Sequence, residues 1–301
     1  MMKDLLTLAE LTKEEIASII ERAITLKGLK DKPLAGKTLG MIFEKASTRT
    51  RVSFEAAMYQ LGGYAIFLNQ SDSQVGRGEP VKDTARVMSS YVDGVVIRTF
   101  GHEMIEEFAE YASVPVINGL TDKHHPCQVL ADVLTMVEKK GSGVDGLKGL
   151  KVVWLGDGNN MANSWIEAAS RLPFKLVLAC PEGYQPDEDI VKRSVAEGGE
   201  VELCSSVKDA LKDADVINTD VWASMGWEDE SEKRVRALEA YQLNSENLSY
   251  AKPDAMVLHC LPAHRGEEIT EDVIEGKNSS VWEQAANRLH VQKAILEKLL
   301  S

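Results

Sequence analysis

Residues 38–63 read TLGMIFEKASTRTRVSFEAAMYQLGG, and the architecture turns on this stretch. Its first six residues form a short, mainly apolar run that fits a buried strand. Residues 51–61 then place apolar side chains at helical spacing and stop at Gly62-Gly63, a pair suited to a helix C-terminus. A buried strand running straight into an amphipathic helix is half of a βαβ unit. The motif recurs on both sides. Upstream, residues 11–27 predict a helix with Thr12 as N-cap and Glu15 completing a capping box. Downstream, strands are expected over 64–68, 94–97 and 114–117, and helices over 81–91, 102–111 and 128–139. A glycine-rich stretch at 141–146 interrupts the alternation and marks the best domain junction. The alternation then resumes with strands at 151–155, 175–179, 200–204, 215–218 and 255–259, and ends in an amphipathic helix over 282–300. The expected fold is α/β: two domains, each a mainly parallel sheet flanked by helices. The first spans 1–141 and the second 147–284. The C-terminal helix, 285–301, is expected to pack back on the first domain.

The chain has 301 residues, with 34 basic and 47 acidic side chains and a net charge of −13. A general nucleic-acid binder carries a basic surface, so the charge argues against that class and no nucleic-acid partner is expected. With 44% hydrophobic and 27% charged residues the balance is that of a globular protein with a substantial core. No apolar run reaches the roughly 18–20 residues that cross a bilayer, so no membrane association is expected. The N-terminal residues lack a secretory apolar segment. Four widely spaced cysteines, Cys127, Cys180, Cys204 and Cys260, fit free thiols in a cytoplasmic setting.

Four clusters carry chemistry. Ser47-Thr48-Arg49-Thr50-Arg51 opens the helix after the first strand, where unpaired N–H groups and the helix dipole favour an anion. An arginine fork adds bidentate phosphate geometry, although an N-cap followed by exposed basic residues would look the same. His125-Pro126-Cys127-Gln128 opens another helix. A protease dyad or metal ligands would also use His and Cys, but neighbouring residues point apart and no second ligand pair lies nearby. Asp220 through Ser224, Met225 and Gly226 follows a strand, where α/β proteins bind ligands. His259-Cys260-Leu261-Pro262 ends the last strand, and a cis Leu261-Pro262 bond there would aim the Cys260 thiol and the Leu261 carbonyl inward. Gly156-Asp157-Gly158-Asn159-Asn160 mimics a dinucleotide fingerprint, with Glu182 after the next strand. The third glycine position is Met161, so the match is partial. The asparagine pair would serve equally to bind a carboxylate or to cap the helix.

In this order, along nearly the whole chain, the clusters resemble the motifs of the aspartate/ornithine transcarbamoylase family, on its ornithine branch. Gln74 stands where the aspartate branch places a lysine, and Ser224-Met225-Gly226 is intact. The resemblance implies transfer of a carbamoyl group from carbamoyl phosphate to the side-chain amine of ornithine, with no metal and no cofactor. It implies that Ser47, Thr48, Arg49, Thr50 and Gln74 hold the phosphate, Gln74 acting from a neighbouring subunit of a homotrimer. Arg98, His125, Gln128 and Arg288 would surround the carbamoyl group, with Cys260 and Leu261 lining the reacting centre. Asn160, Asp220, Ser224 and Met225 would hold ornithine, and Arg98, His125, Asp220 and Cys260 would be catalytic. Two other readings stay open: an NAD-dependent dehydrogenase built on Gly156 and Gly158, and a two-domain binding protein for a small anion.

Overall fold

The computed structural model describes residues 2–28, 30–69, 78–222 and 231–301. The chain divides into two compact units, residues 1–134 with 287–301, and residues 135–286. The divisions fall within two helices, α5 and α12 below, whereas the glycine-rich 141–146 stretch begins as α5 ends.

In the first unit, α1 (Lys13–Leu26) starts from a Thr12 N-cap whose hydroxyl accepts from the Glu15 amide, while the Glu15 carboxylate accepts from the Thr12 amide. This is the capping box expected at that position. Then follow β1 (Thr38–Phe43), α2 (Thr48–Leu61), β2 (Tyr64–Asn69), α3 (Val81–Ser89), β3 (Gly94–Arg98), α4 (His102–Tyr111), β4 (Val116–Leu120) and α5 (Pro126–Lys140). The strands are parallel, in the order β2-β1-β3-β4. On one face Ile42, Val95, Ile97 and Val116 pack with Ala85 of α3 and with Ile105 and Phe108 of α4. Every residue of β3 is buried, as in a parallel sheet covered on both sides.

The second unit contains β5 (Lys151–Leu155), α6 (Asn160–Ala169), β6 (Lys175–Ala179), α7 (Glu188–Ala196), β7 (Glu200–Cys204), α8 (Val207–Leu211), β8 (Val216–Thr219), α9 (Ser231–Leu238), α10 (Ser245–Leu248), β9 (Met256–His259) and α11 (Glu271–Ile274). Its sheet is again parallel, in the order β7-β6-β5-β8-β9. Alternate residues Val153 and Leu155, and Val177 and Ala179, enter a core completed by Ile217, Val257, Leu211 and Ile274.

The last helix, α12 (Val281–Leu300), crosses the second division. Its C-terminal part packs on the first unit as expected. Lys293 donates to the Leu26 carbonyl at 2.8 Å, Arg22 pairs with Glu297, and Lys27 donates to Asn287. Several expected boundaries shift slightly. Helix α2 begins at Thr48 rather than 51, since Ser47 is the N-cap, and β4 runs over Val116–Leu120 rather than 114–117.

Candidate active site

Each sheet has a point where the strand order reverses, between β1 and β3 in the first unit and between β5 and β8 in the second. Ligands of open α/β sheets bind outside the carboxyl ends of the strands at such points. The clusters singled out above follow those ends.

In the first unit the Ser47–Arg51 cluster opens α2, with Ser47 as its cap. The Ser47 hydroxyl accepts from the Thr50 amide at 3.2 Å, and Thr48 and Arg49 form the exposed first turn. Arg98 ends β3, where the register against β4 slips by one residue. Gly119 is the extra residue, and a Cβ there would stand 3.1 Å from the Ile97 carbonyl oxygen. Bulges of this kind re-aim a side chain at the rim of a sheet. Glu44 ties the ends of β1 and β3 together: its amide donates to the Arg98 carbonyl, and its carboxylate accepts from the Thr99 hydroxyl and the Phe100 amide.

His125 stands just before α5, and its carbonyl accepts from the Gln128 amide. Deeper in, Gln128 donates its amide to Asp132 at 2.9 Å, which directs its oxygen to Arg288 Nη1, also at 2.9 Å. Arg288 Nη2 donates to the Thr50 hydroxyl at 2.9 Å. One guanidinium on α12 therefore joins the starts of α2 and α5. Burial pushes the His125 imidazole well below its ordinary pKa of 6.5, and the positive charges of Arg288 and Arg98 push the same way. The ring is neutral at pH 7, a donor or acceptor of hydrogen bonds rather than a cation. Cys127 faces inward. Its thiol donates to the Asn118 carbonyl, and burial pushes its pKa up to about 12. Such a thiol is inert, which removes the dyad reading of His125 and Cys127.

In the second unit Asp220 leaves the end of β8. Its Oδ1 accepts from the Cys260 thiol at 2.9 Å and from the Val221 amide, and its Oδ2 accepts from Asn159 Nδ2 at 2.9 Å. Asn159 was not expected at the site; Asn160 was. Asn159 caps α6, its oxygen accepting from the Met161 and Ala162 amides, so its nitrogen is turned toward Asp220. The adjacent asparagine pair is the signal in the sequence: Asn159 takes the capping role, and the carboxylate it meets is the protein's own Asp220. Asn160 is the first residue of α6 and half-buried.

The Leu261-Pro262 bond is cis, with Leu261 at φ 59. Behind this turn His259 Nδ1 accepts from the Leu261 amide at 2.9 Å, so its Nε2–H donates to the buried Glu268 carboxylate at 2.9 Å. Asp220, His259 and Cys260 lie close enough to share an ion. Both His259 nitrogens are already engaged, so the group is a hydrogen-bonded frame for the thiol. Arg234, another residue the sequence does not single out, pairs with Asp157 and donates to the Trp222 carbonyl at 2.5 Å. Burial raises the Asp157 carboxyl to about 6 against the pull of Arg234. Gln74, Ser224 and Met225 lie outside the described residues.

The dinucleotide reading meets a direct obstacle. A Cβ on Gly158 would stand 2.2 Å from the Pro186 nitrogen and 2.3 Å from the Gln185 carbonyl carbon, and the Gly158 amide donates to the Tyr184 carbonyl. The glycine is required because another loop lies against it. In the fingerprint that close approach belongs to a pyrophosphate.

These two switch points place Arg98 and the Arg288 network in one unit and a thiol–carboxylate pair in the other, at the strand ends where open α/β sheets bind ligands. Residues 3–138 match the family profile described as the aspartate/ornithine carbamoyltransferase carbamoyl-P binding domain, and residues 148–299 the Asp/Orn binding domain of the same family. The chain belongs to the aspartate/ornithine carbamoyltransferase family. It is 57% identical over 306 residues to the ornithine carbamoyltransferase of Syntrophus aciditrophicus, covering 100% of both chains. Among solved structures, the ornithine carbamoyltransferase of Pyrococcus furiosus superposes with a TM-score of 0.94 at 52% identity, over 99% of this chain and 97% of that one. The anabolic ornithine carbamoyltransferase of Campylobacter jejuni follows at 0.93 and 44%, over 99% of each.

Proposed function

We propose that this chain transfers the carbamoyl group of carbamoyl phosphate to the side-chain amine of L-ornithine, giving L-citrulline and phosphate. The observation that carries this reading is the Thr50–Arg288–Gln128 network beside Arg98 and neutral His125, at the switch point of a sheet whose first helix opens with Ser47, Thr48 and Arg49.

In this account the phosphate is gripped by the first-turn amides of α2, by Ser47, Thr48, Arg49 and Thr50, and by Gln74 from a neighbouring subunit. Arg98, His125, Gln128 and Arg288 surround the carbamoyl group, beside Cys260 and Leu261. Asn160, Asp220, Ser224 and Met225 hold ornithine. The amine must lose a proton before it attacks, since its pKa in water is near that of lysine, about 10.4. Desolvation lowers that value and a facing carboxylate raises it. Attack forms the C–N bond and puts negative charge on the carbonyl oxygen, where Arg98 and His125 donate, each donor being worth roughly 3 kcal/mol. The C–O bond to phosphate then breaks, and the leaving anion stays with Arg49 and the helix N-terminus. At a net charge of −13, such a local cluster must outweigh the long-range field.

The chain is further proposed to act in arginine biosynthesis, a reading supported by its likeness to the anabolic Campylobacter enzyme. A cytoplasmic setting is supported by four free thiols. A homotrimer is supported by the exposed apolar side chains of Val52, Tyr59, Tyr64 and Ile66 around the edge strand β2. The proposed domains are 1–141 with 285–301 for carbamoyl phosphate and 147–284 for ornithine, whereas the matched profiles cover 3–138 and 148–299, the second taking in the C-terminal helix. The test is citrulline or analogous product formation with ornithine, putrescine, acetylornithine and aspartate side by side. Ornithine is expected to be the preferred acceptor; preference for any other acceptor, or no product with all four, rejects the reading.

A further inference from the structure

His102 and His124 are buried, lie on the first unit, and have no part in the chemistry above. His102 is the first residue of α4, and its Nδ1 lies 3.1 Å from the Thr121 hydroxyl. The same hydroxyl oxygen accepts from the His124 amide at 3.1 Å, and the Thr121 amide donates to the His124 carbonyl at 2.9 Å. A tight turn over 121–124 is thus closed at both ends by Thr121. The Thr121 hydroxyl lies within reach of the His124 carbonyl at 3.5 Å and of His102 Nδ1 at 3.1 Å. The His102 contact is the shorter of the two, and with the hydroxyl donating to it the imidazole carries its proton on Nε2. The His102 and His124 rings also meet edge to face, with centroids 4.7 Å apart. Asp122, inside the turn, donates its amide to the Phe100 carbonyl and pairs with Lys45. His125 is the next residue along the chain, and nothing but the 124–125 peptide separates it from this assembly.

We infer that His102 is a positioning residue for His125: through the Thr121 hydroxyl and the His124 ring it sets the turn from which the His125 imidazole is presented to carbamoyl phosphate. The inference rests on the carbamoyl-transfer reading for its substrate, but its geometry belongs to this chain alone. A small displacement of a group that stabilises developing charge is costly, so loss of the clamp should be visible in kinetics even when the fold survives.

The experiment compares wild type with His102→Leu, His102→Asn, Thr121→Val and the His102→Leu/Thr121→Val double variant. Leucine keeps bulk without an acceptor. Asparagine places an oxygen where the imidazole has Nδ1. Steady-state kinetics with each substrate varied is combined with calorimetric binding of carbamoyl phosphate alone. His102→Leu and Thr121→Val are each expected to lower kcat/KM for carbamoyl phosphate by roughly tenfold, and to weaken its binding, with the KM for ornithine unchanged. His102→Asn should recover most of that loss, and the double variant should be no worse than the worse single one, because both break one contact. A folded His102→Leu protein with wild-type constants overturns the inference. So does a loss that falls equally on both substrates, or one that asparagine fails to recover. Should His102→Leu not fold, Thr121→Val against Thr121→Ser makes the same comparison. A wild type that binds carbamoyl phosphate but forms no citrulline ends the carbamoyl-transfer reading while the calorimetric comparison still decides the clamp, and a wild type that does not bind it overturns both.

Discussion

Arg288 stands 160 residues from Gln128 and 238 from Thr50 in the chain, yet its two terminal nitrogens bind one each. That link carries most of what was hard to see in advance. Arg49 draws notice in the sequence because it sits in the first turn of a helix, where a cation opposes the helix dipole, and the structure places it in that turn. Arg288 lies mid-helix with no local oddity, and only the family resemblance pointed to it. Asn159 was half legible: the pair with Asn160 marked a cap, but which asparagine meets Asp220 depends on the packing of β5 against β8. Two outcomes follow for single residues. Arg49→Ala should weaken carbamoyl phosphate binding about ten- to a hundredfold, the worth of charge-assisted hydrogen bonds, while the unfolding midpoint barely moves. Calorimetry with unchanged affinity would remove Arg49 from the phosphate site. His125 supplies a pH signature. Its pKa lies below the ordinary 6.5 in the folded protein, mainly through burial. Unfolded chain therefore takes up the proton first, and the stability that neutral His125 contributes is fully present above 6.5 and lost as pH falls below it. Denaturant midpoints between pH 7.5 and 5 should fall more steeply for wild type than for His125→Gln; parallel curves would refute the neutral assignment.

Elements were easier to read than side-chain partners. Short apolar runs bounded by glycine or polar turns became strands nearly residue for residue, as with residues 38–43, 151–155 and 175–179, because a strand buried on both faces leaves no room for ambiguity of period. The misses lie at ends. Helix α2 starts before its first apolar residue because Ser47 caps it, and β4 extends to Leu120 through the bulge at Gly119. The partial glycine fingerprint misleads for a physical reason: a crossing loop and a bound pyrophosphate demand the same missing Cβ. Gly158→Ala should therefore lower stability by about 3 kcal/mol, since the obstacle is rigid backbone of residues 185 and 186. A denaturation curve indistinguishable from wild type would show that this loop yields. Thr12→Ala, by contrast, removes only the α1 cap, and a loss of about 1 kcal/mol is expected by the same measurement; a loss of several kcal/mol would mean that the cap does more than close a helix.

At the scale of the whole molecule, the two-sheet plan follows from the repeated strand–helix alternation. Assembly is the least legible property, since exposed Tyr59, Tyr64 and Ile66 form an apolar patch that does not by itself specify a partner or a number of copies. The proposed trimer with Gln74 shared between subunits predicts a trimeric mass in sedimentation. Tyr64→Glu, which places a charge on the edge of β2, should yield smaller species with citrulline formation reduced in step. Full activity in a monomeric variant would end the shared-site account.

The central claim is that carbamoyl phosphate sits at the start of α2, held by Ser47, Thr48, Arg49 and Thr50. A crystal structure with carbamoyl phosphate bound tests it most directly. The account predicts the phosphate oxygens within hydrogen-bond distance, about 3 Å, of the first-turn amides of α2 and the Arg49 guanidinium. Phosphate bound instead at Gly156 and Gly158, or anywhere remote from residues 47–50, would contradict it.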